Sequence, residues 1–139
     1  MRLHQLRNPA RRTPRLIAAL TLALSGNGFA ADSHNHAHEH KPLHGGIVVE
    51  ASDIDFELVA KADVVTVYVR DHGKPAATQG ATGKVTLLTG AEKSEAALAP
   101  AGDNKLEAKG SFKVGSGTKV VATVTLAGKP AVNVRFVIK

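Results

Sequence analysis

From about residue 46 onward, apolar and polar side chains follow one another with a period of two. Ile54, Phe56 and Leu58 are separated by Asp55 and Glu57, which assigns one face of an extended segment to an interior and the other to water. Val64 to Arg70, VVTVYVR, and Lys119 to Leu126, KVVATVTL, are rich in β-branched and aromatic residues and predict two further strands. Val132, Val134, Phe136 and Ile138 alternate with Asn133 and Arg135, and Ala127-Gly128-Lys129-Pro130 joins this run to the preceding one as a terminal hairpin. Weaker strand patterns cover Gly46 to Glu50, Lys84 to Thr89, Glu95 to Ala99 and Lys105 to Lys109. Turn residues fall between them at Asp71-His72-Gly73-Lys74-Pro75, Gly80 and Gly83, Gly90, Pro100 to Asn104, and Gly115-Ser116-Gly117. Ala91 to Leu98, AEKSEAAL, is the one stretch with helical propensity, but it has no apolar stripe of helix length and strands flank it. The pattern predicts an all-β domain over residues 42–139, an antiparallel immunoglobulin-like sandwich of seven or eight strands. The tryptophan and disulfide that mark antibody domains are absent, since the chain has no Trp and no Cys.

The first 30 residues follow a different rule. Arg2, Arg7, Arg11, Arg12 and Arg15 precede any acid; Leu16 to Leu24 is a short apolar run; and Ser25-Gly26-Asn27-Gly28-Phe29-Ala30-Ala31 supplies small residues. This is the layout of a secretory signal peptide, with cleavage expected after Ala30. The apolar run is nine residues long, against the roughly 20 of a membrane-spanning helix, so no membrane span is expected once it is removed. Pro14 and Arg15 follow the Arg11-Arg12 pair where a twin-arginine signal has apolar residues, which favours the general export route.

Export changes the charge argument. The chain carries 18 Lys+Arg and 12 Asp+Glu, but five of the arginines leave with the signal, so 13 bases face 12 acids in the processed chain. The remaining lysines are interleaved with acids, and no basic face for nucleic acid is left. The expected compartment is the periplasm.

Residues 31–41, ADSHNHAHEHK, contain no large apolar side chain and predict a disordered His-rich arm in front of the domain. His34, His36, His38 and His40 stand at alternate positions, so their imidazoles project to one side of an extended chain and neighbouring rings can close on one ion. Such a set suits Zn, Ni, Co or Cu(II). The processed chain would hold no Cys and no Met, the soft ligands of Cu(I). Cleavage after Ala31 would instead expose Asp32-Ser33-His34, whose amine, backbone nitrogens and imidazole form a square-planar chelate for Cu(II) or Ni(II); Phe29 at the position wanting a small residue argues against that cut. His44, in Leu43-His44-Gly45-Gly46, is either a ligand shared between arm and domain or a cap on the first strand. His72 lies in an exposed turn, and the acids that lie near His44 in sequence, Glu50, Asp53, Asp55 and Glu57, read as a solvated strand face.

The run HGGIVVEASDIDFELVAKADVVTVYVRDHGKP, followed by LAPAGDNKLEAKG, is similar to a domain found in small periplasmic proteins associated with heavy-metal resistance. It also resembles the N-terminal β-domain of periplasmic adaptor subunits of heavy-metal efflux pumps of the RND class. The resemblance spans His44 to about Lys139, through the H-G-G start, the F-E-L strand, the Tyr68 to Pro75 turn and the Ala99 to Leu106 segment. It implies a periplasmic β-domain that binds or hands over metal ions, with a heavy-metal efflux complex as its partner and His44 the one marker residue of ligand chemistry. The hairpin, lipoyl and barrel parts of a full adaptor have no counterpart here.

No nucleophile in a recognisable setting, phosphate-cradling glycine loop or HExxH pattern is present, so no enzyme is expected. Two classes compete: a metal-binding periplasmic protein that buffers or carries its ion, and a metal-indifferent sandwich that docks a protein partner.

Overall fold

The structure, a computed structural model, describes residues 40–139. The expected signal peptide and its cleavage point, the arm up to residue 39, and with it His34, His36 and His38, lie outside the described residues.

The described residues form nine strands and no helix: β1 (Ile47–Ala51), β2 (Ile54–Ala60), β3 (Val64–Asp71), β4 (Lys74–Pro75), β5 (Thr82–Thr89), β6 (Glu92–Pro100), β7 (Lys105–Lys109), β8 (Lys119–Thr125) and β9 (Val132–Val137). All pairings are antiparallel. One sheet runs β1-β2-β3-β7 and the other β6-β5-β8-β9; β6 joins them, pairing with β5 along most of its length and with β7 through Ala99 and Pro100. The ninth strand is the two-residue β4, which pairs with the end of β3. The continuous path curls so that its end strands β1 and β9 approach each other, which makes the all-β fold nearly barrel-like.

Alternation explains the interior. Phe56 and Leu58 of β2, Val65, Val67 and Val69 of β3, and Leu106 of β7 are buried against Val85 and Leu87 of β5, Val120 and Val124 of β8, and Phe136 of β9. The stretch with helical propensity is strand β6, because partners lie on both of its sides and tertiary pairing outweighs the weak local preference. Two hairpins turn through left-handed pairs: Ser52 and Asp53 (φ 54° and 61°) between β1 and β2, and His72 and Gly73 (φ 49° and 77°) between β3 and β4. Positive φ at both loop positions is the type I′ geometry that matches strand twist. Among the described residues no helix is long and apolar enough to cross a membrane.

Candidate metal centre

The outer face of the first sheet carries the candidate chemistry. Antiparallel register sets Asp55 opposite Glu50 of β1 and Arg70 of β3, and Glu57 opposite Val48 and Tyr68. On an exposed sheet these side chains would face water. Instead residues 40–46 lie across them as a strap, and Asp55 is 6% and Glu57 1% exposed. The expectation of a solvated face at these two residues is corrected: both carboxylates are covered because the strap needs acceptors for its own polar groups.

Glu57 is the strap's anchor. Its Oε1 accepts the backbone N–H of His44 at 2.7 Å and of Gly46 at 3.0 Å, while Oε2 accepts the N–H of Leu43 at 3.0 Å. The His44 ring adds a fourth bond from Nδ1 to Oε2 at 3.0 Å, and lies flat on Tyr68, with ring centroids 3.5 Å apart and planes 2° apart. Burial by itself would raise the Glu57 carboxyl pKa, but the bonds from the His44 side chain and from the Gly46, Leu43 and His44 amides together hold it below the usual glutamate value. Both glycines of H-G-G serve this crossing. Gly45 has φ +73°, and a Cβ on Gly46 would stand 2.3 Å from the Leu58 carbonyl oxygen.

Asp55 holds the other end. His40 Nδ1 lies 2.7 Å from Asp55 Oδ1, and His40 Nε2 lies 3.0 Å from Glu50 Oε2. One ligand atom from each of His40, Glu50 and Asp55 falls within 4.8 Å of the others, the spread of a site that could hold a metal ion. Buried Arg70 fixes the surroundings: it donates to the Lys41 carbonyl at 3.0 Å and stands 3.9 Å from Asp55 Oδ2.

Of the five histidines expected as ligands, His40 is thus placed beside two carboxylates, although composition assigns it to the arm. His44 is not part of that cluster, because its ring is committed to Glu57 and Tyr68. His72 sits in the β3–β4 turn, its side chain 70% exposed and hydrogen-bonded to Asp71. Sequence reasoning passed over Glu50, Asp55 and Glu57 as ligand or anchor groups. The available signal was a pair of acids in a strand next to an H-G-G segment able to cross it closely. No family model, curated protein or solved structure matches the chain.

Proposed function

We propose that the chain is an exported, periplasmic protein that binds a divalent transition metal (Zn, Ni, Co or Cu(II)) as a buffer or carrier in metal resistance or efflux. The observation that carries this reading is the convergence of His40, Glu50 and Asp55. In the bound state His40 keeps its Nδ1 contact with buried Asp55, which orients the ring, and presents Nε2 together with the more exposed Glu50 to the ion. The histidine tract before it, His34, His36 and His38, supplies further imidazoles to the same ion or to others. Mixed nitrogen and oxygen donors suit borderline divalent ions and give Cu(I) no soft ligand. Binding, not catalysis, is the proposed activity.

Titration of the processed chain with Zn, Ni, Co and Cu(II), followed by calorimetry, tests the proposal. His40→Ala and Glu50→Gln should each weaken the tightest event by about ten-fold or more, as loss of a ligand does. Unchanged isotherms in both variants would remove the folded centre. A flat isotherm for the unaltered chain with all four ions would leave the sandwich as a metal-indifferent docking module.

A further inference from the structure

Two carboxylates hold the strap at different points, and only one of them belongs to the ligand cluster. Asp55 meets His40 at the start of the strap, in the group completed by Glu50. Glu57 is the next outward position on β2, about 6.8 Å further along by strand geometry, and takes the amides of Leu43, His44 and Gly46. Buried Arg70 ties the two points together, since it donates to the Lys41 carbonyl and stands 3.9 Å from Asp55 Oδ2. Glu50 and Asp55 are fixed in β1 and β2 and pair directly across the hairpin. His40 is the one member of the cluster that lies in no strand, so it stays beside the two carboxylates only while the strap stays down.

We infer that the strap is a release lever for the ion and that Glu57 is its positioning residue: the glutamate lies outside the ligand cluster, yet it sets the affinity of the centre by keeping His40 in place. This role rests on the metal-binding reading of His40, Glu50 and Asp55 given above and adds how that site is loaded and emptied. With the strap down, His40 is held through Lys41 on Arg70 and through Leu43 on Glu57, no more than three residues away. With it lifted, the nearest fixed point is Ile47 at the start of β1, seven residues away. The local concentration of a group on a flexible tether falls at least as the three-halves power of tether length, so lifting weakens the site by at least about three-fold. Linkage acts in the other direction too: an ion that bridges His40 to the strands opposes lifting by the same factor. Whatever peels residues 43–46 from Glu57 therefore makes the protein give up its ion without competing for a ligand, which is what a carrier requires.

The test uses the full processed chain with His34, His36 and His38 changed to Ala, so that the folded centre is measured without the tract before it. Hydrogen exchange followed by NMR, with and without saturating Zn(II), gives one reading: the Leu43, His44 and Gly46 amides should exchange at least about three-fold more slowly with the ion bound. Adding His40→Ala should erase that slowing. Zinc titration gives the other reading. Glu57→Ala and Gly46→Ala alter no ligand, the second acting through its Cβ on the Leu58 carbonyl oxygen, and each should weaken zinc binding, by the same factor as the slowing once the strap amides are unprotected. A Glu57 that only stabilised the fold would move the urea midpoint but leave strap exchange indifferent to zinc. Zinc that binds through His40 without slowing the strap amides overturns the lever and leaves the centre standing; this reading needs no change at position 57, so it decides the matter even if Glu57→Ala does not fold. Full zinc affinity in a Gly46→Ala protein whose strap amides are exposed overturns the lever as well. If the three-alanine chain binds no zinc, or binds it equally well after His40→Ala, the centre itself falls and the lever with it.

Discussion

On the inner face of β2, Ile54, Phe56 and Leu58 are buried among side chains of both sheets; on the outer face, Asp55 and Glu57 are buried under residues 40–46 of the same chain. The two faces differ in what happens when a side chain is removed. A hole in the interior is surrounded by strands that cannot move far, so the cavity persists. The strap can lift away, and its amides then find water. Loss on the inner face should therefore cost more free energy than loss on the outer face, although Glu57 is as inaccessible as Phe56.

The largest expected effect is on the inner face. Phe56→Ala should destabilise the domain by about 3–5 kcal/mol, read as a fall in the urea midpoint at unchanged slope. Glu57→Ala comes next, at about 2 kcal/mol, because detachment of the strap limits the penalty for its unpaired donors. Hydrogen exchange sharpens the contrast: the Leu43, His44 and Gly46 amides should lose protection in Glu57→Ala while the β5 and β8 amides keep theirs. Equal losses for the two variants would mean that the strap is an integral layer of the core. Gly46→Ala should release the same amides with Glu57 intact, since its Cβ would meet the Leu58 carbonyl oxygen, and its cost should not exceed that of Glu57→Ala.

Acid distinguishes the faces in another way. The folded-state pKa of Glu57 is depressed, so its contribution to stability is present above the unfolded-state value of about 4.3 and is lost as pH falls through the folded value. The stability gap between the unaltered protein and Glu57→Gln should thus be constant near neutrality and shrink in acid below about pH 4. The gap for Phe56→Ala should show no such trend. Urea unfolding at a series of pH values measures both.

The inner face was legible in the sequence because a period of two needs only one face to be apolar, and Ile54, Phe56 and Leu58 state it directly. The terminal β8–β9 hairpin and the His72-Gly73 turn were legible for similar local reasons. The outer face was not. Asp55 and Glu57 look like solvated positions until a segment more than ten residues upstream is known to cross them, and that crossing depends on tertiary geometry. The Ser52-Asp53 turn also lacks the Asn-Gly or Asp-Gly signature, so the β1–β2 hairpin that brings Glu50 opposite Asp55 was hidden. The candidate centre was therefore half readable: His40 stood out by its spacing, while its carboxylate partners required the fold.

The smallest expected effect concerns how the strap itself is held. Glu57 accepts three backbone N–H groups and one ring nitrogen, so His44→Ala removes one bond of four together with the stack on Tyr68. The three amide bonds survive, because they come from the backbone and from Gly45-Gly46 bending it into place. A cost of about 1 kcal/mol follows from one partly exposed hydrogen bond plus one aromatic contact. His44→Phe separates these parts, since it keeps a ring for Tyr68 and gives up the bond to Glu57, and it should recover about half of the loss. Both variants should keep the Leu43 and Gly46 amides protected from exchange. If His44→Ala instead exposes those amides and costs as much as Glu57→Ala, the imidazole is the clasp and the backbone bonds depend on it. The outer face would then be held by a side chain, as the inner face is, and the contrast between them would narrow to polarity alone.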